Sequence, residues 1–200
     1  MKCHLNALMQ EHNLDAILVT GPAQHNPPMV YLTGGAHLTQ CDLIKKRDSD
    51  PILFYNPMER DEAAKTGLAT KNLADYRLNE LLKQTEGDYL AAMVLRYQKM
   101  LTDLQITQGR MAVYGRIDAG NSYAIFSSLQ KLMPELTIVG ELGDSILMQA
   151  MATKDEQEIA RIRRMGQITI SVVDKVAEFL TSQKIVDGQL VKSDGTPLTI

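Results

Sequence analysis

The sequence predicts an α/β fold, a three-layer domain in which helices flank a mixed central sheet, followed by one long helix. Short apolar segments of strand length alternate with amphipathic segments of helical length, the pattern of a layered α/β domain. A polar turn at residues 45–50 joins two neighbouring strand segments, and this hairpin makes the sheet mixed rather than purely parallel. From Ile159 to Leu180, apolar residues recur at steps of three and four, which predicts the long helix.

The predicted strands are short and are bounded by turn residues such as Gly21 and Pro22. The first strand has the sequence Ala-Ile-Leu-Val-Thr, an apolar run of the kind that is buried on both faces of a sheet. Together the predicted strands comprise residues 16–20, 37–44, 51–55, 72–76, 111–115 and 136–140.

The predicted helices are recognised by apolar residues at helical spacing and by residues that favour helix ends. Pro27 or Pro28 suits a first helical position, where the missing N–H group costs no hydrogen bond, and Gly34 ends that turn. We expect Thr153 to cap the long helix, with Glu156 completing a capping box three residues later. The other predicted helices comprise residues 5–12, 57–67, 89–104 and 121–133.

The length of 200 residues allows one domain with a substantial extension. We expect the boundary between Gly143 and Thr153, where the alternating pattern ends and the long helix approaches. Residues 1–150 are therefore predicted to form the α/β domain, and residues 151–200 a linker and the long helix. After that helix, residues 184–198 are expected to form loops or a hairpin.

Composition and charge exclude several classes of protein. The net charge of -3 argues against a nucleic acid as the main partner. No apolar run approaches the roughly 20 residues of a membrane helix, and residues 1–6 lack the apolar core of a signal peptide. Two cysteines are too few for a disulfide framework. We therefore expect a cytoplasmic protein that binds neither nucleic acid nor membranes.

The sequence contains no phosphate-binding loop, no His-Glu-x-x-His zinc pair and no Gly-x-Ser-x-Gly nucleophile motif. His37 and Cys41 are four residues apart, but in a predicted strand this spacing does not direct two ligands at one metal ion, and two ligands are too few. The cations at residues 45–47 and 161–164 lie beside acidic residues, which indicates salt-bridged surfaces. No catalytic, cofactor-binding or metal-binding residue is predicted.

Two segments resemble a known family. Thr153-Lys154-Asp155-Glu156-Gln157-Glu158-Ile159, with the arginines after it, resembles the segment that opens the catalytic domain of the creatinase, prolidase and Xaa-Pro aminopeptidase family. Tyr31-Leu32-Thr33-Gly34 is similar to a segment that follows the first strand of that family's N-terminal domain. Gly35 stands where the family has an aromatic residue, so the local packing there is expected to differ.

The resemblance implies a creatinase-type N-terminal domain with a ribonuclease H-like fold, followed by the first helix of a pita-bread catalytic domain. In the family, two divalent metal ions (Mn, Co or Zn), held by two Asp, one His and two Glu, support hydrolysis of the bond before proline. None of these ligands is carried over, because residues 183–200 include Asp187 and Asp194 but no His or Glu. We therefore expect a truncated chain that is inactive alone, and the apolar end at residues 198–200 agrees with truncation.

The resemblance also implies a homo-oligomer, specifically a dimer, and proline-containing peptides as substrates of the full-length enzyme. In the family this domain supports assembly and closes one side of a neighbouring subunit's active-site entrance. His25, Tyr31 and His37 lie in the loops predicted to reach such an entrance or interface; the alternative is that they are structural loop residues. The stripe from Ile159 to Leu180 is expected to fold back on the domain or to pair two copies.

The sequence is also compatible with two other functions. The same domain occurs in relatives that are not peptidases, such as creatinase, an amidinohydrolase, and the residues that set specificity lie mainly outside this domain. Alternatively, the chain is a standalone binding or assembly module that keeps the fold without catalysis.

Overall fold

The computed structural model describes residues 3–199, within which the chain divides into two compact units. The first unit extends to Thr153 and the second begins at Lys154. The described residues do not include Met1, Lys2 and Ile200. Part of what the sequence predicts for the two chain ends concerns these three residues. The assignment of residues 1–150 and 151–200 to two functional regions stays a prediction.

The first unit contains a six-stranded mixed sheet, as the sequence predicts. Its strands are β1 (Ala16–Gly21), β2 (Cys41–Lys46), β3 (Ile52–Tyr55), β4 (Ala69–Asn72), β5 (Gly109–Gly115) and β6 (Leu136–Val139). They are arranged in the order β4-β3-β2-β1-β5-β6. β2 runs antiparallel to both of its neighbours, whereas the other neighbouring pairs are parallel. The β2–β3 hairpin turns at Asp48, which has a φ of 62°.

Helices follow or precede these strands along the chain. They are α1 (Cys3–Glu11), α2 (Pro27–Thr33), α3 (Arg60–Lys65), α4 (Leu78–Gln84), α5 (Tyr89–Asp103), α6 (Ala119–Leu132) and α7 (Ile146–Ala152). The two longest of these begin at aspartate caps. The side chain of Asp88 accepts a hydrogen bond from the backbone N of Ala91 at 3.0 Å, and that of Asp118 accepts one from Asn121 at 2.9 Å. Both caps satisfy N–H groups that a helix start leaves unpaired.

Alternate residues of β1 point to opposite faces of the sheet and enter two different core clusters. Ile17 and Val19 share one cluster with buried residues of α1, α2 and α7, such as Met29. Leu18 shares the other cluster with buried residues of α5 and α6, such as Leu129. Burial on both faces explains why β1 is apolar along its length, and it produces the predicted helix–sheet–helix layers.

Several elements differ from the sequence prediction. The strand predicted from residue 37 begins at Cys41, because the preceding segment is held in a loop in which Ala23 donates to the carbonyl of Leu38 at 2.9 Å. The strand predicted at residues 72–76 lies earlier, in β4. Residues 73–76 instead form a 3-10 turn, which the side chain of Asn72 caps by accepting from Ala74 at 2.9 Å. α4 and α7 are absent from the prediction, and each is only 7 residues long.

The second unit begins with the predicted long helix, α8 (Glu156–Ser182), but its cap differs from the prediction. Asp155, rather than Thr153, is the N-cap. Its Oδ1 accepts from the backbone N of Glu158 at 2.8 Å, and Oε2 of Glu158 accepts from the backbone N of Asp155 at 3.0 Å. This reciprocal pair is a capping box, displaced by two residues from the expected one. The hydroxyl of Thr153 donates to the carbonyl of Ala150 at 3.1 Å instead.

α8 is followed by a hairpin, which agrees with the expectation for residues 184–198. β7 (Lys184–Val186) pairs antiparallel with β8 (Gln189–Val191). Asp187 and Gly188 form the connecting turn, with φ angles of 49° and 76°. Two consecutive positive φ angles match the right-handed twist of tight hairpins, and Asp-Gly is a preferred sequence for this turn.

The apolar stripe of α8 is exposed to solvent. Ile162 is 57% exposed, Met165 60% and Ile170 64%. A long helix in a folded protein gains most of its stability by burying such a stripe. The second unit therefore presents an apolar surface suited to packing against a further protein segment. Of the helices within residues 3–199, none is long and apolar enough to cross a bilayer.

Candidate functional site

The carboxyl ends of β1 and β5 form the edge of the sheet at which the candidate site lies. These neighbouring strands run parallel, from Ala16 opposite Met111 to Thr20 opposite Gly115. Beyond β1 the chain continues to α2, which packs on one face, and beyond β5 it continues to α6, which packs on the other. Where connections leave toward opposite faces of an α/β sheet, a crevice opens that commonly holds ligands.

Two of the three predicted entrance residues lie at this edge. His25 and His37 are both exposed and both belong to the connection between β1 and β2. The carbonyl oxygen of His25 accepts a hydrogen bond from Nη1 of Arg116 at 3.2 Å. Nε2 of Gln24 donates to Nδ1 of His37 at 2.5 Å. The segment containing Gln24 and His25 thus links the loop before β2 to the loop after β5.

Tyr31, the third predicted entrance residue, has different surroundings. It lies on α2, is half-buried and packs against the core cluster that contains Ile17 and Val19. Its ring therefore contributes to packing, whereas His25 and His37 present their imidazoles to solvent. The entrance or interface role of all three residues stays a prediction.

Asn26 fixes the loop that carries these residues. It is fully buried, and its side-chain Nδ2 donates to the backbone carbonyl of Thr20 at 3.0 Å. The backbone carbonyl of Asn26 accepts from the backbone N of Val30 at 2.9 Å, in the first turn of α2. Gly21, with a φ of 112°, lets the chain pass close to the end of β5, because a Cβ there would lie 2.5 Å from the carbonyl oxygen of Arg116. The loop after β1 is therefore held at both its backbone and its side chains.

A buried polar cluster lies beneath this edge, on the face covered by α5 and α6. Asp42 is 1% exposed, and its Oδ1 accepts a hydrogen bond from the hydroxyl of Tyr97 at 3.0 Å. The hydroxyl of Thr20 lies 3.5 Å from that of Tyr97. Burial raises the pKa of the Asp42 carboxyl, and it raises the pKa of the Tyr97 phenol as well. This cluster is absent from the sequence prediction, although an aspartate within the apolar run Cys-Asp-Leu-Ile is a signal for it.

Asp42→Asn should change how stability depends on pH. The pKa of Asp42 in the folded state lies above its ordinary value of 3.8, so the folded state holds this proton more tightly than the unfolded chain does. The corresponding stabilisation is fully present below 3.8 and is lost as pH rises through the folded-state pKa. Asparagine keeps an acceptor for Tyr97 and has no charge to bury, so the variant should gain stability relative to the natural chain as pH rises.

Urea denaturation at a series of pH values measures this difference. Asp61→Asn, which changes an exposed aspartate of α3, provides the matched control and should show little pH-dependent difference. The expectation would be contradicted if the free energies of unfolding of Asp42→Asn and of the natural chain differed by the same amount from acid to neutral pH.

His37 and Cys41 do not form a metal site. Cys41 is buried, its Sγ donates to the carbonyl of Gly21 at 3.4 Å, and burial raises the pKa of the thiol to about 12, whereas His37 is exposed. Metal binding requires the thiolate, which this burial disfavours. Among the described side chains, those of residues 4–199, no group of three or more His, Cys, Asp or Glu is placed to hold a metal ion. The two metal ions that the resemblance implies do not fit the described part of this chain.

Comparison with known proteins identifies the domain. A model of the Creatinase/Prolidase N-terminal domain family matches residues 3–146. No curated protein matches the chain significantly.

Three solved structures share the fold at low sequence identity. A dipeptidase from Pyrococcus horikoshii OT3 has a TM-score of 0.56 and 15% identity over 92% of this chain and 44% of its own. An X-Pro aminopeptidase from Thermotoga maritima MSB8 has a TM-score of 0.53 and 16% identity over 80% of this chain and 38% of its own. A prolidase from Thermococcus sibiricus has a TM-score of 0.52 and 15% identity over 92% and 44%.

The chain thus spans 38 to 44% of the length of these three structures, and the similarity concerns the fold. The family match rests on sequence, covers most of the first unit and includes the candidate edge at residues 20–42 and 115–121. By this match, the chain belongs to the creatinase/prolidase N-terminal domain family.

Proposed function

We propose that this chain is the N-terminal region of a metallopeptidase of the Xaa-Pro aminopeptidase or prolidase type. Residues 1–150 would be its non-catalytic N-terminal domain, and residues 151–200 the linker and first helix of its catalytic domain. The observation that carries the proposal is the extent of the structural similarity. The dipeptidase from Pyrococcus horikoshii aligns with 92% of this chain, more than the residues before Lys154 can supply, so the alignment continues into the second unit.

The exposed stripe of α8 supports this assignment. Side chains such as Ile162 and Ile170 remain more than half exposed, although their helical spacing forms a single apolar face. In the proposed enzyme, the remainder of the catalytic domain covers this face. That remainder also supplies the ligands of the two divalent metal ions, whether Mn, Co or Zn, because the described residues of this chain contain no suitable cluster.

The proposed role of the N-terminal domain is to support a homodimer and to shape the entrance of the partner's active site for proline-containing peptides. His25 and His37 support this role because they are exposed at one edge of the sheet and held there by Arg116 and Gln24. Tyr31 would act from α2 by supporting the loop. The proposal includes a cytoplasmic location, which the free, buried thiol of Cys41 favours.

The source gene beyond the codon for Ile200 gives the first test of this assignment. An open frame that supplies Asp, Asp, His, Glu and Glu in that order supports the metallopeptidase. A stop codon directly after Ile200 contradicts it and favours a standalone assembly module. Hydrolysis of creatine but not of an Xaa-Pro dipeptide by the full-length protein would instead identify a creatinase-like amidinohydrolase.

The entrance role has its own test in the full-length enzyme. His25→Asn and His37→Ala should each lower kcat/KM for an Xaa-Pro dipeptide by about three- to tenfold, the size of one lost hydrogen bond. Asparagine is chosen for residue 25 because it tolerates the φ of 54° found there. His4→Ala removes an exposed histidine of α1 and should leave kcat/KM unchanged. Unchanged kcat/KM in both test variants would contradict the entrance role.

A further inference from the structure

A cavity lies between α5 and α6, over the carboxyl ends of β1 and β5. Its volume is about 460 Å³, within the range of small-molecule sites. Thr20 and Tyr97 contribute to its floor, so it lies directly above the buried cluster that contains Asp42. The cavity lies beside the sheet edge at which the connections after β1 and β5 leave toward opposite faces, a place where α/β proteins commonly bind ligands.

Two arginines line this cavity. Arg96 projects from α5 and Arg116 follows β5. Nε of Arg96 is buried and has no hydrogen-bond partner among residues 3–199. Nη1 of Arg116 donates a hydrogen bond to the carbonyl of His25. This bond uses one of the five N–H donors of the guanidinium. Because Nε is closed off from solvent, an anionic ligand in the cavity would pair with the remaining N–H donors of Arg96 and Arg116.

Two carboxylates lie near these cations, and neither forms a salt bridge with Arg96 or Arg116 in the described part of the chain. Asp118 lines the cavity but its Oδ1 accepts from the backbone N of Asn121, which directs that oxygen at the start of α6. Asp42 lies behind Tyr97, and burial raises its pKa, which disfavours the charged form that would neutralise Arg96. The N-terminal end of α6 adds a further positive partial charge to the same wall.

The remaining wall of the cavity is largely apolar. Met93 from α5, Ile117 from the loop after β5 and Ile125 from α6 all contribute to it. A bare inorganic anion would leave this surface without a partner. A ligand with both an anionic group and an apolar body would satisfy the two parts of the lining together.

We propose that this cavity binds a small amphipathic carboxylate, with its carboxylate against Arg96 and Arg116 and its apolar body against Met93, Ile117 and Ile125. An amino acid with an acylated amino group and an aliphatic side chain has this chemistry. The inference concerns the isolated chain, and it holds or fails independently of the peptidase assignment.

The test uses the 200-residue chain and N-acetyl-leucine as the probe, with binding followed by amide chemical shifts in two-dimensional NMR. Binding in the millimolar range is expected for so small a ligand. N-acetyl-leucinamide, which lacks the charge, and acetate and inorganic phosphate, which lack the apolar body, should each bind about tenfold more weakly or not at all. The shifts caused by N-acetyl-leucine should centre on α5 and on the start of α6.

Variants of the protein assign the binding to this cavity. Arg96→Met and Arg116→Met should each weaken N-acetyl-leucine binding about tenfold or more, because each removes a charged donor. Lys99→Met removes a cation from an exposed position of the same α5 helix and should leave the affinity unchanged. Arg96→Lys retains the charge and should bind with intermediate affinity, so a folding defect in one arginine variant does not decide the result.

Several outcomes would overturn the proposal. Equal binding of the amide would exclude recognition of the carboxylate, and equal binding of acetate or phosphate would exclude the apolar contact. Equal weakening by Lys99→Met would show a general charge effect. Absence of any shift with N-acetyl-leucine in the millimolar range would exclude the site.

Discussion

Gly115→Ala is expected to unfold the first unit under conditions in which the natural chain is folded. Gly115 ends β5 with a φ of 130°, and a Cβ there would lie 1.9 Å from the carbonyl oxygen and 2.8 Å from the nitrogen of Thr20. Both contacts are with the backbone of the neighbouring strand, which cannot rotate away as a side chain does. Relief requires separating β1 from β5 in the middle of the sheet. We expect a loss of more than about 4 kcal/mol, a large part of the 5–15 kcal/mol typical of a domain.

Gly140→Ala is the matched control for this substitution. Gly140 lies just after β6, has a φ that other residues readily adopt, and has no atom within 4 Å of the added Cβ. The free energy of unfolding of the Gly140→Ala variant should differ from that of the natural chain by no more than about 0.5 kcal/mol. Urea denaturation followed by circular dichroism compares the two variants. Similar midpoints for Gly115→Ala and Gly140→Ala would contradict the backbone contact described between β1 and β5.

Phe54→Ala is expected to destabilise the protein by about 3–5 kcal/mol, the usual cost of removing a fully buried aromatic ring. Phe54 lies in β3, is 0% exposed, and its ring centre lies 5.7 Å from that of Tyr76 at a tilt of 57°. Alanine would remove this aromatic contact and leave a cavity in the layer beneath α5. Because the sheet around Phe54 is fixed by strands on both sides, the cavity has little room to collapse.

Tyr123→Ala controls for the loss of an aromatic ring as such. Tyr123 lies on α6 and is 78% exposed, so its removal should change the free energy of unfolding by less than about 0.5 kcal/mol. Phe54→Leu, which retains most of the volume, should lie between the two. A Phe54→Ala variant as stable as Tyr123→Ala would mean that the ring is not part of the core.

The parts of the fold that the sequence predicts are those with a repeated apolar pattern. β1 is apolar along its length because both faces are buried, and α5 repeats its buried residues at helical spacing. β4 has the sequence Ala-Thr-Lys-Asn and lies at the edge of the sheet, so it lacks an apolar pattern. For this reason the predicted position of this strand is wrong. α7 contains almost only apolar residues and therefore shows no contrast between two faces.

The candidate site was harder to predict because its residues come from distant segments. His25 and His37 share one connection, and the sequence singles them out as loop residues. Tyr97 and Asp42 are 55 positions apart, and their hydrogen bond exists only because α5 packs over β2. Arg96 and Arg116 line one cavity because α5 packs over the face of the sheet that contains β5. The spacing of residues within one segment of the sequence does not predict these contacts between distant segments.

The strand order has a consequence for how this unit is put together. β1 to β4 are successive neighbours, so the chain up to Asn72 lays down four strands in sequence, whereas β5 and β6 join only across β1. That junction consists of five residue pairs, from Ala16 with Met111 to Thr20 with Gly115, which are far apart along the chain. Forming it closes the longest loop in the sheet, so we expect it to carry the largest loop-closure entropy cost of assembly. The same junction is where the unit would divide into two complementary fragments, with the candidate site at its open end.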